Sequence, residues 1–155
     1  MGAEDRLREL GIELPPAPAP VASYVPVVVS GGFAYVSGQV PVAEGKLLWT
    51  GKLGSTLDVS SGAEAARRCA LQALSALRAQ LGSLDRVRRI VKLSVFVASE
   101  PGFTDQPKVA NGASDLLVQV FGEPGRHARA AVGVAELPLG GPVEVELMAE
   151  VEVEA

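Results

Sequence analysis

The 155-residue chain has one cysteine, Cys69, and one histidine, His127. A lone cysteine excludes an intrachain disulfide and suits a reducing compartment. One Cys and one His cannot build a His/Cys zinc shell, so no metal is expected. Basic residues are also short: 14 Lys and Arg face 18 Asp and Glu, for a net charge of -4. A surface without excess cations has little with which to neutralise phosphates, which argues against nucleic acid as a partner. Aromatics make up only 5% of the chain, leaving few platforms on which bases could stack. No glycine-rich phosphate loop is present: Gly31 and Gly32 follow a strand pattern but open no helix.

Long apolar runs are missing as well. Residues 14–43 carry no charge, but six prolines and the Gly31-Gly32 pair interrupt them, so no membrane-spanning helix is expected. The first ten residues, MGAEDRLREL, show neither the apolar core of a signal peptide nor the Ser or Thr of a myristoylation signal. A cytoplasmic protein is the expectation.

What is present is globular: 48% hydrophobic and 21% charged residues, enough for one domain spanning residues 1–155. Residues 1–20 read as an N-terminal helix over 3–10, stopped by Gly11, followed by a proline-rich connector over 14–20. Two apolar runs, 25–30 and 33–37, flank Gly31-Gly32 and predict a two-residue hairpin. Residues 43–58 read as a long loop with at most one short strand. Ser61 and Glu64 have capping-box spacing and predict a helix to Leu81, ended by Gly82, with Ala70, Leu74, Leu77 and Leu81 as its buried stripe.

Residues 88–98 alternate as a strand, with Val91, Leu93, Val95 and Val97 on one face. A second helix over 107–121 carries Val109, Ala113, Leu116, Leu117 and Val120 on its apolar side. The last two strands, 129–136 and 143–153, read as a hairpin. In the second of these, Val143 to Val153 alternate with Glu144 to Glu154. The expected architecture is α+β: one mixed sheet with two helices on one face. Ala131, Gly133 and Ala135 would sit on its uncovered face, a surface that invites a second copy of the chain.

Few residues stand out for chemistry. Arg129 presents a planar donor fork suited to a carboxylate. Glu144 can orient or deprotonate water, although it shares a face with other glutamates. Asn111 sits inside a helix, where asparagine is a poor fit. Tyr24 and the Ser37-Gly38-Gln39 turn flank the first hairpin. His127 lacks the neighbours of a catalytic triad and reads as polar surface, and Cys69 reads as a small buried apolar side chain.

Several ordered motifs together resemble the RidA/YjgF/L-PSP family, the reactive intermediate deaminases. These are Arg129 with the alternating Val132 and Val134, Leu137-Pro138, and the strand Val143-Glu144-Val145-Glu146. They also include the segment Val36-Ser37-Gly38-Gln39-Val40-Pro41, and Tyr24 and Asn111 at matching places. The resemblance covers residue 24 to the C-terminus. It implies a chorismate-mutase-like fold and a homotrimer with sites between subunits. It also implies cofactor-free hydrolysis of reactive 2-imino or enamine acids to 2-oxo acids and ammonia. By the same resemblance Arg129 clamps the substrate carboxylate and Glu144 holds the attacking water, while Tyr24, Ser37, Gly38 and Asn111 line the pocket.

The chain departs from the pattern at Ala131, where many members have cysteine, and in its longer N-terminus and 43–58 loop, as in a longer-chain branch. Arg126 and His127 add cationic capacity beside Arg129. The alternatives are a trimer that binds small carboxylates or 2-oxo acids without turnover and, less favoured, an endoribonuclease. Simple pairing of the final hairpin puts Glu144 opposite Ala135, with Arg129 six residues further on, about 20 Å away at roughly 3.4 Å per residue. The two would then have to meet across a subunit interface.

Overall fold

A computed structural model describes residues 1–19 and 22–153. Pro20, at the end of the proline connector, and Glu154, in the final alternation, lie outside the described residues. Seven strands and three α-helices are present among those described. The main sheet has five strands, ordered β1 (Val27–Ser30), β2 (Phe33–Gln39), β7 (Val143–Val151), β5 (Val87–Ala98) and β6 (Ala128–Val134). All neighbours are antiparallel except β5 and β6, which makes the sheet mixed. β3 (Val42–Ala43) and β4 (Lys46–Leu47) form a separate small hairpin where at most one strand was expected.

The first hairpin forms as its glycines dictate. Gly31 and Gly32 take φ of 62° and 83°, the left-handed pair that a tight two-residue turn requires, and Ser30 pairs with Phe33.

Helix α2 (Val59–Leu81) begins earlier than its capping-box pattern suggests. The cap is Asp58, whose carboxylate accepts from the Ser61 backbone N–H at 2.9 Å; Ser61 lies inside the first turn. Gly82 ends the helix at φ 86°. The predicted stripe is buried, and so are Ala65, Ala66, Cys69, Ala73 and Ala76. Alanines on several sides let α2 lie flush against both the sheet and α3 (Gln106–Phe121). α1 (Ala3–Leu10) is a third packed helix, not a detached extension. Ala3 and Leu7 are buried in the core, and the Glu4 carboxylate accepts from Arg78 at 2.7 Å and from the Leu84 backbone at 2.8 Å. Among the described residues no helix is long and apolar enough to cross a membrane.

Two register features were not anticipated. Strand β5 is irregular between Ile90 and Lys92: Ile90 pairs with Ala149 and Lys92 with Met148, so Val91 is the extra residue of a bulge. Ile90, not Val91, therefore faces the core. More consequentially, β6 and β7 do not form a hairpin. β7 inserts between β2 and β5, and β6 lies at the sheet edge, parallel to β5. The unit β5–α3–β6 is a crossover, which joins parallel strands through a helix. Arg129, Ala131 and Gly133 pair with the buried Leu93, Val95 and Val97 and share their helix-covered side. The small-residue face expected to be open is therefore the covered one, and Ala131 packs against the core. The uncovered side of β6 instead carries Val132, 46% exposed.

The α2–α3 crossing depends on Gly112. A Cβ there would lie inside contact distance of the Ala63 carbonyl oxygen, a backbone atom that no rotamer change can move. Gly112→Ala is expected to lower the free energy of unfolding by about 2–3 kcal/mol in urea titration, in line with core overpacking. An unchanged midpoint would show that the helices can separate freely.

Candidate active site

The chemistry-bearing residues gather at two places. The first is on β6 and α3, at the helix-covered side of the sheet edge. Arg129 Nη1 donates to Asn111 Oδ1 at 2.8 Å and to Ser114 Oγ at 3.1 Å. Those two bonds use both Nη1 hydrogens and leave the Nε–Nη2 edge, a two-hydrogen fork, without a protein acceptor among the described residues. No carboxylate among the described residues pairs with Arg129. Asn111 thus has its reason for sitting inside a helix: its amide oxygen points at the guanidinium.

One partner, Ser114, escaped the sequence, and His127, placed beside Arg129 from the sequence, has contacts that the sequence did not show. Ser114, one turn after Asn111, had no signal beyond that spacing. His127, read as polar surface, is tied at both nitrogens, to Ser114 Oγ at 2.9 Å and to the Gly125 carbonyl at 2.6 Å. Arg126 is likewise engaged, with Glu123 at 3.3 Å. Ser114, Val118, Arg126, His127 and Arg129 line a shallow pocket of about 230 Å³.

The second place is the junction of β2 and β7. Val36 pairs with Leu147 and Gln39 with Val145, so Ser37 and Gly38 together oppose Glu146 in a bulge. The bulge aims the bare backbone of Gly38 at Glu144. A Cβ at Gly38 would collide with Glu144 Oε1, so any larger residue there would push that carboxylate out of its present position. Ser37 Oγ donates to the Val25 carbonyl at 2.7 Å and its N–H to the Pro26 carbonyl at 2.9 Å, fastening the segment after Tyr24 to β2. Tyr24 is exposed and lines, with Gly38, Gln39, Val40, Pro18 and Gln72, a cavity of about 140 Å³.

Glu144 is half-buried. Burial, and secondarily the neighbouring Glu146, push its carboxyl above the ordinary carboxylate value. No hydrogen bond to that carboxylate is made within the described residues.

The two places do not meet within one chain. Arg129 pairs with Leu93, and Glu144 with Phe96. They are two strands apart, roughly 10 Å, and offset by three residues, roughly another 10 Å. They also lie on opposite faces, since Arg129 is on the Leu93 side and Glu144 on the Phe96 side. This replaces the separation expected from a β6–β7 hairpin: Glu144 lies opposite Phe96, not Ala135.

Sheet order, covering helices and register define a chorismate-mutase-like α+β unit. Residues 4–151 match the family described as "YjgF/chorismate_mutase-like, putative endoribonuclease". The chain belongs to this family, that of the RidA/YjgF proteins. It is 57% identical to a Trypanosoma cruzi protein called TCP17, over 93% of this chain and 91% of that one. It is 30% identical to the 2-iminobutanoate/2-iminopropanoate deaminase of Dermatophagoides farinae, over 91% of this chain and 95% of that one. A crystal structure of an Agrobacterium tumefaciens protein of unknown function superposes with a TM-score of 0.89 at 49% identity, covering 97% of this chain and 94% of the other.

The raised carboxyl of Glu144 has a consequence for stability. Its folded value lies above its unfolded one, so its contribution is present below the ordinary carboxylate range and is lost as pH rises through the folded value. At pH 7 the ionised side chain therefore opposes folding. Glu144→Gln is expected to raise the melting temperature at pH 7 by roughly 1–2 °C, a small gain because the group is half-exposed. The gain should vanish near pH 4. A lower melting temperature at pH 7 would mean that the carboxylate is paired in the folded protein.

Proposed function

We propose that this protein hydrolyses 2-imino acids, or the enamines in equilibrium with them, to 2-oxo acids and ammonia. It works as a homotrimer whose active sites are shared between neighbouring copies in the cytoplasm. The observation that carries this reading is the free Nε–Nη2 fork of Arg129, oriented by Asn111 and Ser114 and unopposed by any acid among the described residues. Such a fork matches the two oxygens of a carboxylate. The deaminase relative from Dermatophagoides farinae supports the same reaction.

The remaining chemistry is modest, because an imine carbon is already electrophilic and needs a placed water more than a strong nucleophile. The imine reacts as its iminium, having taken a proton from solvent: Glu144 takes a proton from the water as its oxygen bonds to C2, and the C=N electron pair moves to nitrogen. The resulting neutral carbinolamine gives up its hydroxyl proton to solvent water as the C=O bond forms, which returns the proton that the imine had taken up. The C–N bond breaks, and nitrogen leaves as ammonia after receiving the proton that Glu144 held. Imine plus water thus yields oxo acid plus ammonia, with no oxidant or metal. Ser37 donates its hydroxyl proton to Val25 and keeps lone pairs for an iminium N–H. Tyr24 and Gly38 form the wall beside Glu144. Ala131 brings no thiol, and none of these steps calls for one.

An endoribonuclease reading is weaker. A net charge of -4 and aromatics at 5% of the chain leave little with which to hold phosphates or stack bases.

Arg129 and Glu144 face opposite sides of the sheet, so one substrate can touch both only if a second chain supplies one of them. β6, a sheet-edge strand, can bring Arg129 of one copy to the β2–β7 junction of the next. Arg129→Ala and Arg129→Lys are each expected to weaken 2-oxobutanoate binding by roughly 100-fold in calorimetry, because lysine cannot reproduce the fork. Refolding inactive Arg129→Ala chains together with inactive Glu144→Gln chains should restore part of the imine-hydrolysing activity, because some interfaces then carry both native residues. Parent-rate turnover by the lysine variant would refute the clamp. Mixed trimers without recovery would refute the shared site.

A further inference from the structure

Behind Arg129 runs a hydrogen-bond chain with one consistent direction. At its far end the Gly125 carbonyl can only accept, so His127 Nδ1, 2.6 Å away, is the donor, which fixes the Nδ1–H tautomer. Nε2 then has a lone pair and accepts the Ser114 hydroxyl at 2.9 Å. With its proton committed to His127, Ser114 Oγ turns lone pairs toward Arg129 and accepts Nη1–H at 3.1 Å. Every donor in the run from guanidinium to backbone carbonyl finds an acceptor.

The anchor of this chain is fixed. Gly125 ends a short helical turn closed by its N–H on the Gly122 carbonyl at 2.8 Å. It sits so close to α3 that a Cβ would collide with the Leu117 carbonyl oxygen. Asn111, the other Nη1 acceptor, is on the same helix as Ser114, three residues earlier.

We infer that Ser114 and His127 are positioning residues for Arg129. By holding Nη1 through a chain anchored on the Gly125 carbonyl, they set the plane in which the Nε–Nη2 fork meets a ligand carboxylate. This role rests on the reading of Arg129 as the carboxylate clamp. It separates two duties on one side chain: Nη1 is bonded inward to protein, and the opposite edge is kept for ligand. An exposed arginine held only by Asn111 could still rotate about that single bond. The second acceptor removes this freedom, and His127 makes the acceptor reliable by consuming the hydroxyl proton.

The test is nitrogen-15 NMR of the arginine side chains in the full-length protein, with Arg129 signals assigned by their loss in Arg129→Lys. In the parent, the Nη1 protons of Arg129 should be resolved and slow to rotate without ligand. In Ser114→Ala and His127→Phe they should average with Nη2, and in His127→Gln, which keeps an acceptor near the Nε2 position, they should stay resolved. With 2-oxobutanoate as probe, the first two variants should bind five- to tenfold more weakly, and KM for imine should rise by the same factor with kcat nearly unchanged. His127→Gln should bind like the parent. Nη1 signals that remain resolved in both Ser114→Ala and His127→Phe, with binding unchanged, would overturn the inference. Ser114→Ala removes a single atom and guards against misfolding of the larger change at His127. If the parent binds no 2-oxobutanoate while its Nη1 signals depend on Ser114 and His127, the imine-hydrolase reading fails and the positioning role stands.

Discussion

The insertion of β7 between β2 and β5 governs the remaining structure. β7 buries Val143, Val145, Leu147, Ala149 and Val151 against the helices, and its backbone bonds to a neighbour on each side. With both flanks of the sheet's centre filled, β6 has only the outer edge of β5 left. It reaches that edge in parallel through α3. Pairing with β5 then fixes orientation: Arg129 inherits the helix-covered side of Leu93, next to Asn111 and Ser114. β7 meanwhile points Glu144 to the uncovered side, over Gly38. One strand placement thus sets Arg129 and Glu144 at two places and keeps them apart.

Elements defined by local chemistry could be read from the sequence. The Gly31-Gly32 hairpin, the helix stops at Gly11 and Gly82, the stripe of α3 and the alternation of β7 all follow from residues within a few positions of each other. Strand partnership could not be read in this way. Leu137, Pro138 and the following glycines look like a hairpin loop, and consecutive strands commonly pair, but pairing depends on which buried edges remain free when the sheet closes. The bulge at Val91 was hidden for a related reason. Val91 and Ile90 are equally apolar, and only the register against Ala149 and Met148 decides which one faces inward.

The candidate site shows the same division. Arg129, Glu144, Tyr24, Ser37, Gly38 and Asn111 were singled out largely by family resemblance, and the structure groups them as Arg129 with Asn111 and Glu144 with Gly38. Ser114 was missed, and His127 was placed beside Arg129 without its partners. A serine one helical turn from an asparagine is an ordinary surface pattern, and a histidine in a loop reveals its partners only once α3 and β6 are side by side. Gly38 shows how sparing the signal can be. Its value is the absence of a side chain, and the sequence does not say that a glutamate more than a hundred positions away fills the space.

The two places also complement each other electrostatically. Arg129 is a permanent cation with two unpaired hydrogens in its fork, and Glu144 is a carboxylate whose ionisation is opposed by burial and by Glu146. Glu144 is a poor arrangement for an isolated chain, because a half-buried carboxylate loses hydration without gaining a partner. On the proposed reading of a site shared between copies, the substrate carboxylate would satisfy the fork, while the positive charge of an iminium near Glu144 would favour its ionised form as water is about to be deprotonated. Loss of that iminium charge as the tetrahedral intermediate forms returns the carboxyl toward its raised value, which suits the protonated Glu144 that must next give a proton to the leaving nitrogen. The same desolvation that costs the free chain stability thus matches each protonation state to its step.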